Sequence, residues 1–303
     1  MELSDDFLKD CRLRGRTNRT IEGYRSAIRE FLEYFPEPER VGKEELKEYL
    51  GKLQERDLKG RTIKSYFSAV SSFYEYLIYE EKVQANPMLP FRARYLDKPA
   101  KHERRQLLSV KQMRELINSI PPEEIRDIAM LVVLAKTGAR RNEFINILAE
   151  DVDFKRAILR LPEASKRNNR YIPMDNELFI VLETYMEWRK TRVKPGCKYL
   201  WITHRGHHFN EEDINRMIAY YAEPLGLHRP GGPLEKRLTC HCFRKFFTHH
   251  LTKNGMTELF VQILRGDSLK DAAWKDNYIE PEDMINEEIR YMYSDTAPQL
   301  ICY

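Results

Sequence analysis

Between Thr17 and Phe35 apolar residues return every three or four positions, at Ile21, Tyr24, Ile28, Phe31, Leu32 and Phe35. That period gathers them on one face and predicts an amphipathic helix over 17–35. Thr17 or Asn18 can cap its first free N–H groups, and Pro36 and Pro38 follow its end. The same period returns over about 43–56 (Leu46, Tyr49, Leu50, Leu53) and about 60–80 (Ile63, Phe67, Val70, Phe73, Tyr74, Leu77). Asn86-Pro87 and Pro90 close the run. Three or four short helices with one apolar face each make a small all-α domain, placed at 1–95.

Residues 96–106 lack periodicity and contain Pro99, which reads as a linker. Beyond it Ser109 caps a helix to about Ile120, and another runs from about Pro122 to Lys136 and stops at Thr137-Gly138. A short helix follows from near Arg140. Between 150 and 174 the pattern changes: Val152, Ile158, Leu159, Leu161, Tyr171 and Ile172 predict a small antiparallel sheet with a turn at Ser165–Asn169. Helices are expected again at about 175–192, 210–223, 239–253 and 257–264, with a helical tail over 270–294 interrupted at Pro281. The fold class is mainly α with a small antiparallel β-sheet (α+β), and the second domain spans 107–303.

Composition narrows the classes. The 303 residues are 42% hydrophobic, 32% charged and 11% aromatic, enough apolar side chain for two cores and too much for a disordered chain. No stretch approaches the roughly 18 apolar residues of a membrane span. The acidic N-terminus has no apolar run behind it, so neither a signal peptide nor a membrane partner is expected, and the expected location is the cytoplasm. Five cysteines, with no C-x-x-C pair, argue against a disulfide framework or structural zinc. His204, His207 and His208 near Cys197, and Cys240-His241-Cys242, lack the two-pair spacing of a zinc site, so no metal is expected.

Charge is uneven. The net is +4, but residues 267–303 carry 9 acidic side chains against 3 basic ones, which leaves a basic body and an acidic tail. Arg12, Arg14, Arg16, Arg19, Arg25 and Arg29 cluster near the N-terminus, with Glu22 the one acidic residue among them. They read either as a solvated helix face or as a track for a phosphate backbone. Lys98, Lys101, Arg104 and Arg105 in the linker carry the same two readings.

Single motifs in the second domain each have a plain structural reading: a helix end at Thr137-Gly138, a salt-bridged turn at Arg140 and Glu143, a polar helix edge at His241 and Arg244. Taken in order they resemble the tyrosine recombinase (phage integrase) family, with similarity to its archaeal and Xer-like members. The first domain resembles the family's core-binding domain, through Thr20-Ile21-Glu22-Gly23-Tyr24, Thr62-Ile63, the segment Ser68–Leu77 and Asn86-Pro87. TGARRNEFINI resembles the segment of the first catalytic arginine, which implies Arg140 with Glu143 as its supporting acid. ASKRNNRYIP resembles the hairpin that presents a catalytic lysine, implying Lys166. HCFRKFFTHHL resembles the His-x-x-Arg segment, implying His241 and Arg244. WKDNYI resembles the region of the nucleophile, implying Tyr278.

The chemistry accounts for these residue types. Displacement at a phosphodiester spreads negative charge over the non-bridging oxygens, and two guanidiniums can hold them with paired N–H donors. A tyrosine hydroxyl has an ordinary pKa near 10 and needs nearby cations to become a nucleophile. Attack by Tyr278 makes a phosphotyrosine; the resemblance implies that it is at the 3′ phosphate. The linkage is conserved, so no cofactor is expected. Lys166 is the implied general acid for the leaving 5′ oxygen. Arg167 and Arg170 are rivals in the same Lys-Arg-Asn-Asn-Arg run, but arginine is a poor proton donor, so Lys166 is kept. His241 can donate a hydrogen bond to the phosphate or help move the tyrosine proton.

Two departures stand out. Asp267 occupies the place where the family usually has His or Trp. A carboxylate there repels phosphate unless it is protonated, turned away or paired. The expectation is that Asp267 orients His241 or an arginine rather than touching DNA. Tyr278 lies 11 residues after Asp267, about two more than the resemblance implies, which keeps Tyr291 and Tyr293 as alternative nucleophiles.

The resemblance implies a two-domain clamp on duplex DNA: a DNA-binding lobe and a catalytic lobe of the DNA breaking-rejoining type. The Arg12–Arg29 stretch would supply salt-sensitive affinity. It also implies a tetramer on specific recombination sites, a monomer off DNA, docking of the acidic tail on a neighbour, room for an accessory DNA-bending protein, and work at the nucleoid. The competing readings are a catalytically inactive sequence-specific DNA-binding protein and a type IB topoisomerase-like activity.

Overall fold

The computed structural model describes residues 2–56, 58–96, 104–162, 170–267 and 287–301. The chain divides into two compact units, Met1–His102 and Glu103–Tyr303. The division falls inside the stretch 96–106 read as a linker.

The first unit is all helical: α1 (Glu2–Leu13), α2 (Asn18–Tyr34), α3 (Lys43–Glu55), α4 (Gly60–Tyr79) and α5 (Met88–Tyr95). The apolar stripes predicted for α2, α3 and α4 close on one core with Phe7, Ile28, Phe31, Leu46, Tyr49, Phe67 and Phe73 fully buried. Thr17 Oγ1 accepts from the Thr20 N–H (3.3 Å), so Thr17 is the N-cap of α2. Two helices go beyond the predicted stripes. The first, α1, contributes Phe7, Leu8 and Cys11 to the core. The other, α5, holds Pro90 in its first turn, where a missing N–H breaks no helical bond. Asn86 sets up that turn, donating to the Ser71 carbonyl (3.0 Å) and accepting from the Met88 N–H (2.9 Å).

The arginine cluster therefore straddles a corner between two helices. Arg12 ends α1, Arg14 and Arg16 flank Gly15 (φ 67°) in the turn, and Arg19, Arg25 and Arg29 lie on α2. Arg14 pairs with Asp10 (3.4 Å), Arg25 with Glu22 (3.6 Å) and Arg29 with Glu33 (3.1 Å). Arg12, Arg16 and Arg19 are exposed and form no ion pair among the described residues.

The second unit is built around α7 (Ile125–Thr137), which is apolar on every side and buried from Met130 to Leu134. α9 (Asn176–Lys190) and α11 (Cys240–Lys253) pack on it, and α6 (Val110–Asn118) also lies against it. Ser109 and Gln112 cap α6 reciprocally, each side chain accepting the other's backbone N–H (3.2 and 3.0 Å). A short helix α8 (Arg141–Ile145) leads into the sheet. Its strands β1 (Val152–Asp153), β2 (Ile158–Leu161) and β3 (Arg170–Pro173) are antiparallel in that order, with Leu161 opposite Arg170. The turn joining β2 and β3 lies outside the described residues. α10 (Glu211–Ala222), α12 (Glu258–Arg265) and α13 (Glu287–Thr296) complete the unit. Among the described residues no helix is long and apolar enough to cross a membrane.

Candidate active site

The site forms where two chain reversals meet a helix. α7 ends because Gly138 takes a left-handed conformation (φ 55°), and a Cβ there would stand 2.7 Å from the Phe247 ring. The chain turns sharply into Arg140, the N-cap of α8, whose backbone N–H donates to Glu143 (2.8 Å). α12 ends the same way at Gly266 (φ 61°), which presents Asp267. α11 brings Arg244 between the two corners.

Glu143 is 4% exposed and organises the inner layer. It accepts from the Arg140 N–H, from Arg140 Nη1 (2.6 Å) and from Arg170 Nη2 (2.9 Å). Burial alone would raise its carboxyl, but the charge of Arg170 and the hydrogen bonds from Arg140 and Arg170 outweigh it and hold the group at about 2. Arg170 is itself buried, and its Nη1 donates to the carbonyls of Thr137 and Leu264. One guanidinium thus ties the base of β3 to the ends of both α7 and α12. A Cβ on Gly266 would stand 2.7 Å from Arg170 Cδ, so the second corner also needs its glycine.

The outer layer is a pair of guanidiniums facing one carboxylate. Arg244 donates from Nη1 to the Gly138 carbonyl (2.9 Å) and from Nη2 to the Arg265 carbonyl (2.9 Å). Its Nη2 also donates to Asp267 Oδ1 (3.2 Å), and Arg140 Nη2 reaches the same oxygen at 3.4 Å. Asp267 Oδ2 faces Arg265 Nε at 3.1 Å. Burial, then the charges of Arg170, Arg140 and Arg265, push the Arg244 guanidinium down from its ordinary value. The two arginines keep their positions through backbone carbonyls and Glu143, and they present charge to an anion placed between them.

His241 begins the helix that carries Arg244, one turn earlier and on the exposed side. Loss of water around its ring, then the charges of Arg105, Arg244, Arg141 and Arg140, hold its pKa below the ordinary value. These surroundings favour the neutral imidazole. Arg105 lies near the start of this unit, and its carbonyl accepts from Lys245 Nζ on α11 (2.6 Å).

This geometry coincides with a family match. Residues 106–270 match the phage integrase family, and residues 3–83 match its N-terminal SAM-like domain. The chain belongs to the phage integrase family. It is 30% identical over 267 residues to the tyrosine recombinase XerC of Herpetosiphon aurantiacus, covering 84% of this chain and 82% of that protein. With the XerC of Roseiflexus castenholzii it shares 30% identity over 167 residues, covering 52% of this chain; it spans 50% of that relative's length. In three dimensions it resembles the Tn1549 transposon integrase solved with transposon right end DNA, at a TM-score of 0.73 and 20% identity, covering 87% of this chain and 90% of that one. That likeness bears on the fold.

Of the integrase residues expected from the sequence, the structure brings Arg140, Glu143, Arg244 and Asp267 into contact and sets His241 among their charges. Lys166, Tyr278 and Lys101 lie outside the described residues. Arg104 is exposed. Arg170, set aside as a rival to Lys166 in the sequence reading, lies on β3 with its guanidinium buried against Glu143, where it braces the corner. The alternative nucleophile Tyr293 lies in the interior. Its hydroxyl is buried and donates to the Lys136 carbonyl (2.6 Å); burial, then Asp175 and Glu177, raise its pKa well above the ordinary value. Tyr291 is 75% exposed on α13. Of the histidines weighed for metal, His208 stacks on Tyr199 (3.7 Å between centroids), and His204 lies beside the Trp188 ring and Glu124 (3.5 Å).

Proposed function

We propose that this integrase-family chain is a site-specific DNA recombinase that cuts and rejoins duplex DNA through a 3′-phosphotyrosine intermediate. The observation that carries the reading is the convergence of Arg140 and Arg244 on a single oxygen, an arrangement built to hold an anion. That oxygen is Asp267 Oδ1 in the free chain, and in the reaction a non-bridging oxygen of the scissile phosphate takes its place. Tyr278 supplies the nucleophile: its O–H proton leaves as the new P–O bond forms and the bond to the 5′ oxygen breaks. Lys166 gives the departing 5′ oxygen its proton. His241, kept neutral by its surroundings, donates one N–H to the phosphate while its other nitrogen is free to accept the tyrosine proton. Rejoining is the same step reversed with a different 5′ hydroxyl, and no external energy source is required.

The first unit is the core-binding domain and the second the catalytic domain in this reading. Arg12, Arg16 and Arg19, exposed and free of ion pairs among the described residues, join Arg14 and the linker residues Lys101, Arg104 and Arg105 in contacting backbone phosphates. The protein binds as a clamp and assembles as a tetramer on two specific sites, a monomer when free, in the cytoplasm at the nucleoid. The solved relatives include a lambda integrase tetramer bound to a Holliday junction.

Covalent trapping tests the reading. The chain is incubated with a nicked suicide duplex taken from DNA flanking its gene, beside Tyr278→Phe, and adducts are resolved on denaturing gels. An adduct lost in Tyr278→Phe is the expected result. One that survives in Tyr278→Phe moves the nucleophile elsewhere, with the exposed Tyr291 next to be replaced. Salt-sensitive binding with no adduct overturns the catalytic reading.

A further inference from the structure

Two carboxylates meet the arginine pair, and they do so very differently. Glu143 is 4% exposed and holds Arg140 Nη1 at 2.6 Å and Arg170 Nη2 at 2.9 Å. Asp267 is 26% exposed at its side chain and stands 3.4 Å from Arg140 Nη2 and 3.2 Å from Arg244 Nη2. Charge-assisted N–H···O⁻ bonds are ordinarily about 2.7–2.9 Å long. The Glu143 contacts are that short or shorter, and the contacts of Asp267 with Arg140 and Arg244 are longer. Glu143 is thus part of the buried scaffold, whereas Asp267 lies at the rim, directly after the left-handed turn at Gly266, with its Oδ2 also facing Arg265 Nε at 3.1 Å.

We propose that Asp267 is an internal stand-in for phosphate. Its Oδ1 occupies the place of a phosphate oxygen in the free protein, keeps the two guanidiniums facing each other, and gives way when a phosphate group enters. The inference rests on the reading that Arg140 and Arg244 receive the scissile phosphate. The ligand chemistry is a tetrahedral phosphate oxyanion, which offers several oxygens to the donors that Asp267 engages with one. A free phosphate must displace Asp267 with only its own contacts. A phosphodiester in duplex DNA is already held by contacts elsewhere on the protein and displaces it easily. The device therefore discriminates against small anions and leaves DNA binding largely intact.

The test is titration of the full chain with inorganic phosphate at constant ionic strength, followed by calorimetry. Asp267→Asn removes the competing charge and should bind phosphate about fivefold more tightly, the upper end of the scale for a partly exposed charged contact. Glu211→Gln is the control for charge alone. Glu211 pairs with Arg141 (2.7 Å), the neighbour of Arg140, and its replacement should change phosphate affinity less than twofold. Equal gains in the two variants, or none in Asp267→Asn, would overturn the proposal. A second measurement needs no variant: the Asp267 carboxylate carbon resonance of the wild-type chain should move as phosphate saturates the site, and an unmoved resonance at saturation refutes displacement. An adduct at Tyr278 together with a null phosphate result would leave the recombinase reading standing and remove only the stand-in. If no adduct forms and no phosphate binds, both fall. A short duplex in place of phosphate separates the two ligand sources: its affinity should change less than threefold in Asp267→Asn.

Discussion

Replacing Glu143 with glutamine keeps the side-chain shape and removes the charge on which Arg140 and Arg170 converge. The magnitude follows from the carboxyl itself. An ordinary glutamate titrates near 4.5, and burial among these partners leaves Glu143 at about 2. At about 1.4 kcal/mol per pH unit, that difference corresponds to about 3 kcal/mol of stability. Because the folded value is the lower one, the contribution is complete above about pH 4.5 and is lost as pH falls toward 2. The variant has no such titration. Its deficit relative to wild type should therefore be about 3 kcal/mol at pH 7 and should shrink by about 1.5 kcal/mol at pH 3.5. All three tryptophans, Trp188, Trp201 and Trp274, belong to the second unit, and Phe144, next to Glu143, stacks on Trp201 (4.7 Å). Urea unfolding followed by tryptophan fluorescence thus reports the unit that contains the substitution. A deficit below 1 kcal/mol, or one that does not change between the two pH values, would show that Glu143 is not the charged keystone of this corner.

Other outcomes follow from the same geometry. Gly138→Ala places a Cβ in a left-handed turn and 2.7 Å from Phe247, so it should lower the stability of the second unit by about 3 kcal/mol; a change under 1 kcal/mol in the same assay would contradict the packing. His241 should titrate below the ordinary value of about 6.5 by NMR, and Arg105→Ala should raise its midpoint; a midpoint above 6.5 in the wild-type chain would remove Arg105 and the arginine pair as neighbours. Tyr293→Phe should destabilise the chain by about 1 kcal/mol and leave the DNA adduct in place, because it loses only a buried hydrogen bond to Lys136. Arg16→Ala should lower the slope of log affinity for DNA against log salt by about 0.9 if Arg16 neutralises one phosphate, and an unchanged slope would remove it from the interface.

How much of this was legible in the sequence depends on where each constraint resides. α2, α3 and α4 each carry a full apolar stripe over three turns or more, so their limits follow closely from local pattern. α1 carries its signal in only Phe7, Leu8 and Cys11, and the arginines that continue past Leu13 hide its end. The corner at Gly138 was legible as a helix stop, since a left-handed residue after an apolar run favours glycine. Arg140, Glu143 and Arg244 could be located by their order along the chain, but not why they stay charged and aligned. That depends on contacts between segments far apart in sequence, such as Arg170 with Leu264 or Arg244 with Gly138.

Arg170 shows the limit most directly. In Lys-Arg-Asn-Asn-Arg every residue is polar, so pattern alone gives Arg170, next to the turn at Ser165–Asn169, no reason to be buried. The register that sets Arg170 opposite Leu161 places it in the sheet, and a strand alternates its faces, so its side chain shares the inward face with Ile172. A guanidinium can be buried there only because Glu143 supplies the opposite charge and two carbonyls accept its protons. Local sequence records neither the register nor the partner. The same arrangement fixes the ends of α7 and α12 around the arginine pair, so the positions of Arg140 and Asp267 both depend on a residue whose sequence neighbourhood suggests a solvated turn.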